Sequence, residues 1–104
     1  MPMSPTQLTL RELRNNGYLA EVVEKWVMGA GVRKDLFGFI DVLAIKGQEI
    51  VVVQATSYAN VPARVQKMTN HENLPRVRES GMKIVIWGWR KVNNRWKFRE
   101  VDMS

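Results

Sequence analysis

Cysteine is absent from this chain of 104 residues. Its absence excludes a disulfide framework, a thiolate metal site and a cysteine nucleophile. Histidine occurs once, at His71. A single imidazole without thiolates does not make a tetrahedral zinc site, and near a break in the helical pattern it reads as a capping or surface residue. No apolar run approaches the roughly 20 residues that a membrane span needs. The opening MPMSPTQLTLRELR also lacks the basic stretch and apolar run of a secretory leader. A soluble, cytoplasmic protein with no membrane partner is expected. So is a single domain over residues 1–104, because that length holds one ordinary core and no repeat, low-complexity tract or linker divides it.

Acidic side chains are the other shortage. Ten Asp and Glu stand against 16 Lys and Arg, giving a net charge of +6 and a sequence pI near 10.1. The excess is one-sided: residues 1–59 hold six basic and six acidic side chains, whereas residues 60–104 hold ten basic and four acidic. Such a surplus points to an anionic partner, nucleic acid first, since neutralised phosphates release counterions and favour binding whatever the base sequence. A solvated basic face and an acidic protein partner are the other uses for it.

Ser4 and Pro5 form an N-cap and first-turn pair, Leu8, Leu10 and Leu13 recur near helical spacing, and Asn15-Asn16-Gly17 ends the segment. This predicts a helix over 5–15. Residues 18–27, YLAEVVEKWV, read as a strand with Tyr18, Ala20, Val22, Glu24 and Trp26 on one face, ended by Gly29 and Gly31. The apolar runs LFGFIDVLAI (36–45) and IVVVQAT (50–56) flank a loop at 46–49 and read as an antiparallel hairpin. Asn60 is expected to cap a helix that Pro62 begins, with Val61, Val65 and Met68 as its apolar stripe. Pro75 breaks or restarts that helix and Gly81 ends it. MKIVIWGW (82–89) and RWKFREV (95–101) complete the set as strands joined by a turn at 92–94. The order is α-β-β-β-α-β-β, an α/β fold. Its βαβ unit should leave strands 50–56 and 82–89 parallel in a mixed sheet flanked by helices.

Three polar groups sit against this apolar pattern. With the hairpin loop at 46–49, Ile45 pairs with Ile50, Leu43 with Val52, and Asp41 with Gln54, whose side chains are then close enough to share one ligand. A carboxylate in an apolar surround is costly unless it is paired, protonated or bound to a cation. Glu24, between Val22 and Trp26, has the same oddity. Two readings stand side by side. Oxygen ligands at a strand end suit a hard cation such as Mg²⁺. Alternatively, Arg33 or Lys34 bonds Asp41, Gln54 closes a cross-strand polar pair, and Glu24 reaches solvent. Asp35 is expected to pair with Arg33 or Lys34.

At these residues the chain resembles the PD-(D/E)XK nuclease superfamily, the restriction-endonuclease-like fold that includes archaeal Holliday junction resolvases and many phage and repair nucleases. The resemblance covers nearly the whole chain. Glu24 in VVEKW looks like the upstream Glu, with Glu21 the other choice if a bulge exchanges their faces. Asp41 in DLFGFIDVLAI looks like the metal-binding Asp, and Gln54-Ala55-Thr56 occupies the (D/E)-x-K position. The run RKDLFGFID followed by VVVQATS resembles a phage-type branch of the superfamily more than the restriction enzymes.

The resemblance implies a Mg²⁺-dependent DNA nuclease, with Mn²⁺ as a substitute and no small-molecule cofactor. Asp41, Gln54 and the Ala55 carbonyl would hold the ion, Glu24 would complete the site, and Thr56 would orient the attacking water. Gln54 brings no negative charge, and Thr56 stands where the family has its Lys. Lys67, with Arg64 one turn earlier, is the replacement on the following helix. Arg33, Lys34, Arg64, Lys67, Arg76 and Arg78 are expected on phosphates. In WGWRKVNNRWKFR, Arg90 joins them and Trp89 is the ring left open for stacking, whereas Trp87, Trp96 and Phe98 read as core. A chain this small is expected to work as a homodimer. A catalytically inactive nucleic-acid-binding module of the same fold is the alternative, and a subunit whose basic half binds an acidic protein is a third.

Overall fold

A computed structural model describes residues 3–104. The first helix, α1 (Pro5–Asn15), forms where the capping signal stands: Ser4 Oγ accepts the Gln7 N–H and Gln7 Oε1 accepts the Ser4 N–H. This reciprocal box satisfies two of the four donors that a helix start leaves free. Strand β1 (Leu19–Val22) follows, then a short ribbon of β2 (Lys25–Val27) and β3 (Val32–Lys34). Next come β4 (Val42–Lys46) and β5 (Glu49–Ser57), a 3₁₀ turn at Tyr58–Asn60, α2 (Val61–Thr69), α3 (Leu74–Glu79), β6 (Lys83–Val92) and β7 (Arg95–Asp102).

Five strands make one mixed sheet in the order β1-β4-β5-β6-β7, and β2-β3 stands apart as a second, two-stranded sheet. As expected, β5 and β6 are parallel; the other neighbours are antiparallel. Leu8 and Leu13 of α1 cover one face, over Val42, Ala44, Val51, Val53 and Val85. The other face is covered by Val61 and Met68 of α2, Leu74 and Val77 of α3, and the turn residues Phe39 and Ile40. Each fully buried aliphatic or aromatic side chain in these layers contributes roughly 1.5–3 kcal/mol. Gly88 on β6 admits the second layer, since a methyl there would overlap the Val61 side chain at the start of α2. Among the described residues no helix is long and apolar enough to cross a membrane.

Three expectations change. The strand expected over 18–27 breaks after Val22: the Val23 N–H still bonds the Asp41 carbonyl at 2.9 Å, one step on in the β1–β4 register, but Lys25–Val27 then pair with β3 in the separate ribbon. The strand expected from residue 36 begins only at Val42. Phe37 and Gly38 have φ of 56° and 92°, and left-handed backbone cannot continue a strand. Instead Leu36 and Ile40 bridge a tight turn. The helical stretch restarts at Pro75 as expected, giving two helices with His71 in the gap, its Nδ1 accepting the Asn73 N–H, and Pro75 in the first turn of the second. Asn60 occupies the N-cap position without a side-chain capping bond, since the chain enters α2 through the 3₁₀ turn. The turn after β6 is Asn93-Asn94, both at positive φ, the pattern of a two-residue hairpin turn that asparagine tolerates well.

Candidate metal centre

The β4–β5 ladder pairs Ile45 with Ile50 and Leu43 with Val52, the expected register, and closes at Val42 and Val53. Asp41 stands one step beyond, held by its own N–H on the Val53 carbonyl. Its carboxylate meets the facing strand: Gln54 Nε2 donates to Asp41 Oδ2 at 2.6 Å, and the Ala55 N–H donates to the same oxygen at 2.8 Å. Asp41 and Gln54 are 4% and 3% exposed. Both bonds fall on Oδ2 and leave Oδ1 outside the pair. The expectation that Arg33 or Lys34 bonds Asp41 is thus corrected, because the adjacent strand already supplies its donors.

Glu24 reaches Asp41 because the preceding Val23 N–H bonds the Asp41 carbonyl, one step on in the β1–β4 register. The two glutamates are told apart by their places: Glu24 lies beside Asp41, whereas Glu21 is on β1, mostly exposed and 3.8 Å from Arg14. The expected solvent-facing alternative for Glu24 does not hold either, since its side chain is only 17% exposed. A third carboxylate joins them. Oxygens of Glu24, Asp35 and Asp41 all lie within 4.8 Å of one another. Asp35 was expected to pair with Arg33 or Lys34, but the Leu36–Ile40 turn folds residues 35 and 41 together and directs it to the cluster. The signal was in the sequence: a glycine, Gly38, in the middle of an apolar run marks a reversal more than a strand.

Three carboxylates so close repel one another. At 4–5 Å and an effective dielectric near 20, each ionised pair costs roughly 3–4 kcal/mol. Burial, first, and then the neighbouring Asp35 and Glu24 carboxylates push the Asp41 pKa up to about 7, against the opposing pull of the Ala55 N–H. Arg33 Nη1, 3.4 Å from Glu24 Oε1, offsets part of the negative charge. One further group is out of balance: Gln54 Oε1 is buried with no hydrogen-bond partner. Such an oxygen costs free energy until something donates to it or is coordinated by it. An all-oxygen set of carboxylates and one amide carbonyl fits a hard divalent cation of the Mg²⁺ kind.

The cluster lies in a cleft of about 560 Å³ walled by Arg33, Arg64 and the start of α1 at Ser4, Thr6 and Gln7. Ala55 also lines it. Other expected site residues fall elsewhere. Thr56 is buried on β5, and Lys67, one turn beyond Arg64, is exposed on α2; neither lines the cleft. Lys34 lines a neighbouring depression. Arg76 borders a separate cavity beside Phe37 and Met82, and Arg78 donates to the Met103 carbonyl. Arg90 lies over the Tyr58 ring at 4.1 Å. Trp89 is corrected outright: it is 6% exposed, packs at a tilt against the Phe98 ring, and donates Nε1–H to Thr9 Oγ1 at 3.0 Å, so its ring is closed to bases.

No protein-family model, curated protein or solved structure matches the chain.

Proposed function

We propose that this protein is a Mg²⁺-dependent DNA nuclease, with Mn²⁺ as a substitute, that hydrolyses phosphodiester bonds in the manner of the PD-(D/E)XK superfamily its sequence resembles. The observation that carries the reading is the carboxylate trio Glu24, Asp35 and Asp41 beside the unpartnered Gln54 oxygen, in a cleft with arginines on its walls. Asp41, Glu24, Asp35 and Gln54 Oε1 would hold the ion, with the Ala55 carbonyl at its margin. Such an ion supplies Lewis-acid stabilisation of the attacking and leaving oxygens. The chain's own part is to orient the phosphate and balance its charge. Arg33 and Arg64 face a bound phosphate from the walls and stabilise the negative charge that grows on its non-bridging oxygens. Arg64 thereby takes the electrostatic role of the missing motif lysine. It cannot act as a base, because a guanidinium does not lose its proton in a protein. The proposal includes the homodimer and the cytoplasmic setting; sedimentation showing only monomer at micromolar concentration removes the dimer.

One observation favours the second reading, a binding module without catalysis: Thr56 occupies the lysine position and stands outside the cleft. Cleavage of supercoiled, branched and single-stranded DNA with Mg²⁺ or Mn²⁺ separates the two. Wild type cutting at least one substrate, with Asp41→Ala inactive, supports the nuclease. Salt-sensitive binding without cutting supports the module.

A further inference from the structure

Glu24 and Asp35 are joined by the β2–β3 ribbon and nothing else. Its ten residues, Lys25 to Lys34, carry three cations and no anion, half of the six cations in residues 1–59, where basic and acidic side chains are equal in number. The register is Lys25 to Lys34, Trp26 to Arg33 and Val27 to Val32. Alternation then puts Trp26 and Arg33 on one face and both lysines, Val27 and Val32 on the other. Arg33 serves the cleft, where it pairs with Glu24. Lys25 and Lys34 line a second depression of about 620 Å³ that shares Asp35 with the cleft and also takes in His71 and Glu72. Among the described residues neither lysine forms an ion pair.

Directly opposed like charges destabilise a ribbon. The far end is also unusually bare, with Met28 86%, Trp26 55% and Val32 53% exposed. Among the described residues no ion pair offsets the first, and the ribbon's contacts are chiefly its own two strands. One occupant answers both. The major groove of B-DNA, about 12 Å wide, admits a two-stranded β-ribbon, offers apolar thymine methyl groups on its floor and carries phosphates along both rims.

We propose that the β2–β3 ribbon is the duplex-gripping arm of this protein. It lies in the major groove beside the phosphate held in the cleft, with Lys25 and Lys34 on backbone phosphates and Met28 and Val32 against the base edges. The inference rests on the nuclease reading of the cleft and adds the form of the substrate, double-stranded DNA. Because the ribbon begins one residue after Glu24 and ends one residue before Asp35, a duplex seated on it is tied by covalent structure to the acidic cluster.

The test is fluorescence anisotropy of a short labelled duplex and of the corresponding single strand, in EDTA so that nothing is cut. Lys25→Ala/Lys34→Ala should flatten the plot of log affinity against log salt for the duplex by about two units, near 0.9 for each lost phosphate contact. The single strand should be affected less. Met28→Ser should weaken duplex binding and leave its salt slope alone, and Lys25→Arg/Lys34→Arg should keep the wild-type slope. Circular dichroism checks that each variant is folded. The inference is overturned by an unchanged duplex slope in the alanine pair, by equal losses for both DNA forms, or by no duplex binding of wild type at low salt. It is equally overturned if polyglutamate competes as well as duplex, or if a ribbon variant changes only the sedimentation coefficient, which would assign the ribbon to a second copy. The nuclease reading is judged separately, on cleavage and Asp41→Ala.

Discussion

Gln54 donates to Asp41 Oδ2 at 2.6 Å while its own buried oxygen has no partner. The pairing decides which end of the amide is left for a cation. Gln54→Glu replaces the donor with a second anion against Asp41, so without metal the variant should melt below wild type. Mn²⁺ should then raise its melting temperature by more than it raises that of wild type, since a ligand that binds only the native state stabilises it by about 2.7 kcal/mol at a hundredfold excess over Kd. Gln54→Leu should shrink the Mn²⁺ shift below the wild-type one. Equal shifts in all three proteins, by scanning calorimetry, would remove Gln54 from the cation's ligands.

The same cluster makes stability depend on pH. Asp41 titrates at about 7 in the folded protein against 3.8 for the free side chain, so the native state holds its proton more tightly than the unfolded chain does. The resulting stabilisation is fully present below about pH 4 and is lost as pH rises through 7. Its size is on the order of 4 kcal/mol. In EDTA the melting temperature of wild type should therefore fall between pH 4 and 7 relative to Asp41→Asn, which has no proton to lose there. Parallel curves for the two proteins would contradict the assignment.

Periodicity and turn chemistry made much of this molecule legible in advance. The Ser4-Pro5 start, the β4–β5 register and the parallel β5–β6 pair all follow from local pattern, and the register placed Asp41 opposite Gln54. What local pattern missed was set by contacts distant in sequence. β1 loses its neighbouring strand where the chain turns at Leu36–Ile40, which breaks a run that reads as one strand. Gly38 packs so closely on His71 that a side chain there would collide with it, which fixes the turn that brings Asp35 to Asp41. Trp89 reads as exposed beside Arg90 and Lys91, yet its partner is Thr9, eighty residues earlier. Net charge concealed the site for a simpler reason: within residues 1–59 an acidic cleft and a basic ribbon are neighbours, and their charges cancel in the sum.

Thr9 offers a test of the fold that is independent of function. It is fully buried on α1, and its hydroxyl accepts the Trp89 Nε1–H at 3.0 Å. Thr9→Val keeps the shape and removes the acceptor, leaving a buried indole donor unpaired. The expected loss is about 1–3 kcal/mol of unfolding free energy. Trp89→Phe in the same background removes the orphaned donor, so the double variant should lose less than the two single losses added. Additive losses in urea melts would show that the hydrogen bond contributes nothing beyond packing.

Arg64 and Lys67 share α2, one turn apart, and only Arg64 lines the cleft. If the wall cation supplies charge to the reacting phosphate, position decides which residue matters. Arg64→Ala should lower kcat by about 10²–10³, the usual cost of removing one donor from a developing oxyanion. Lys67→Ala should leave kcat within a few fold and affect DNA binding modestly through salt dependence. Arg64→Lys should recover only part of the loss, because an ammonium keeps the charge but not the bidentate fork. The measurement is single-turnover cleavage at saturating Mg²⁺. A large kcat loss in Lys67→Ala with a normal Arg64→Ala would mean that α2 shifts in the DNA complex to bring Lys67 into the cleft.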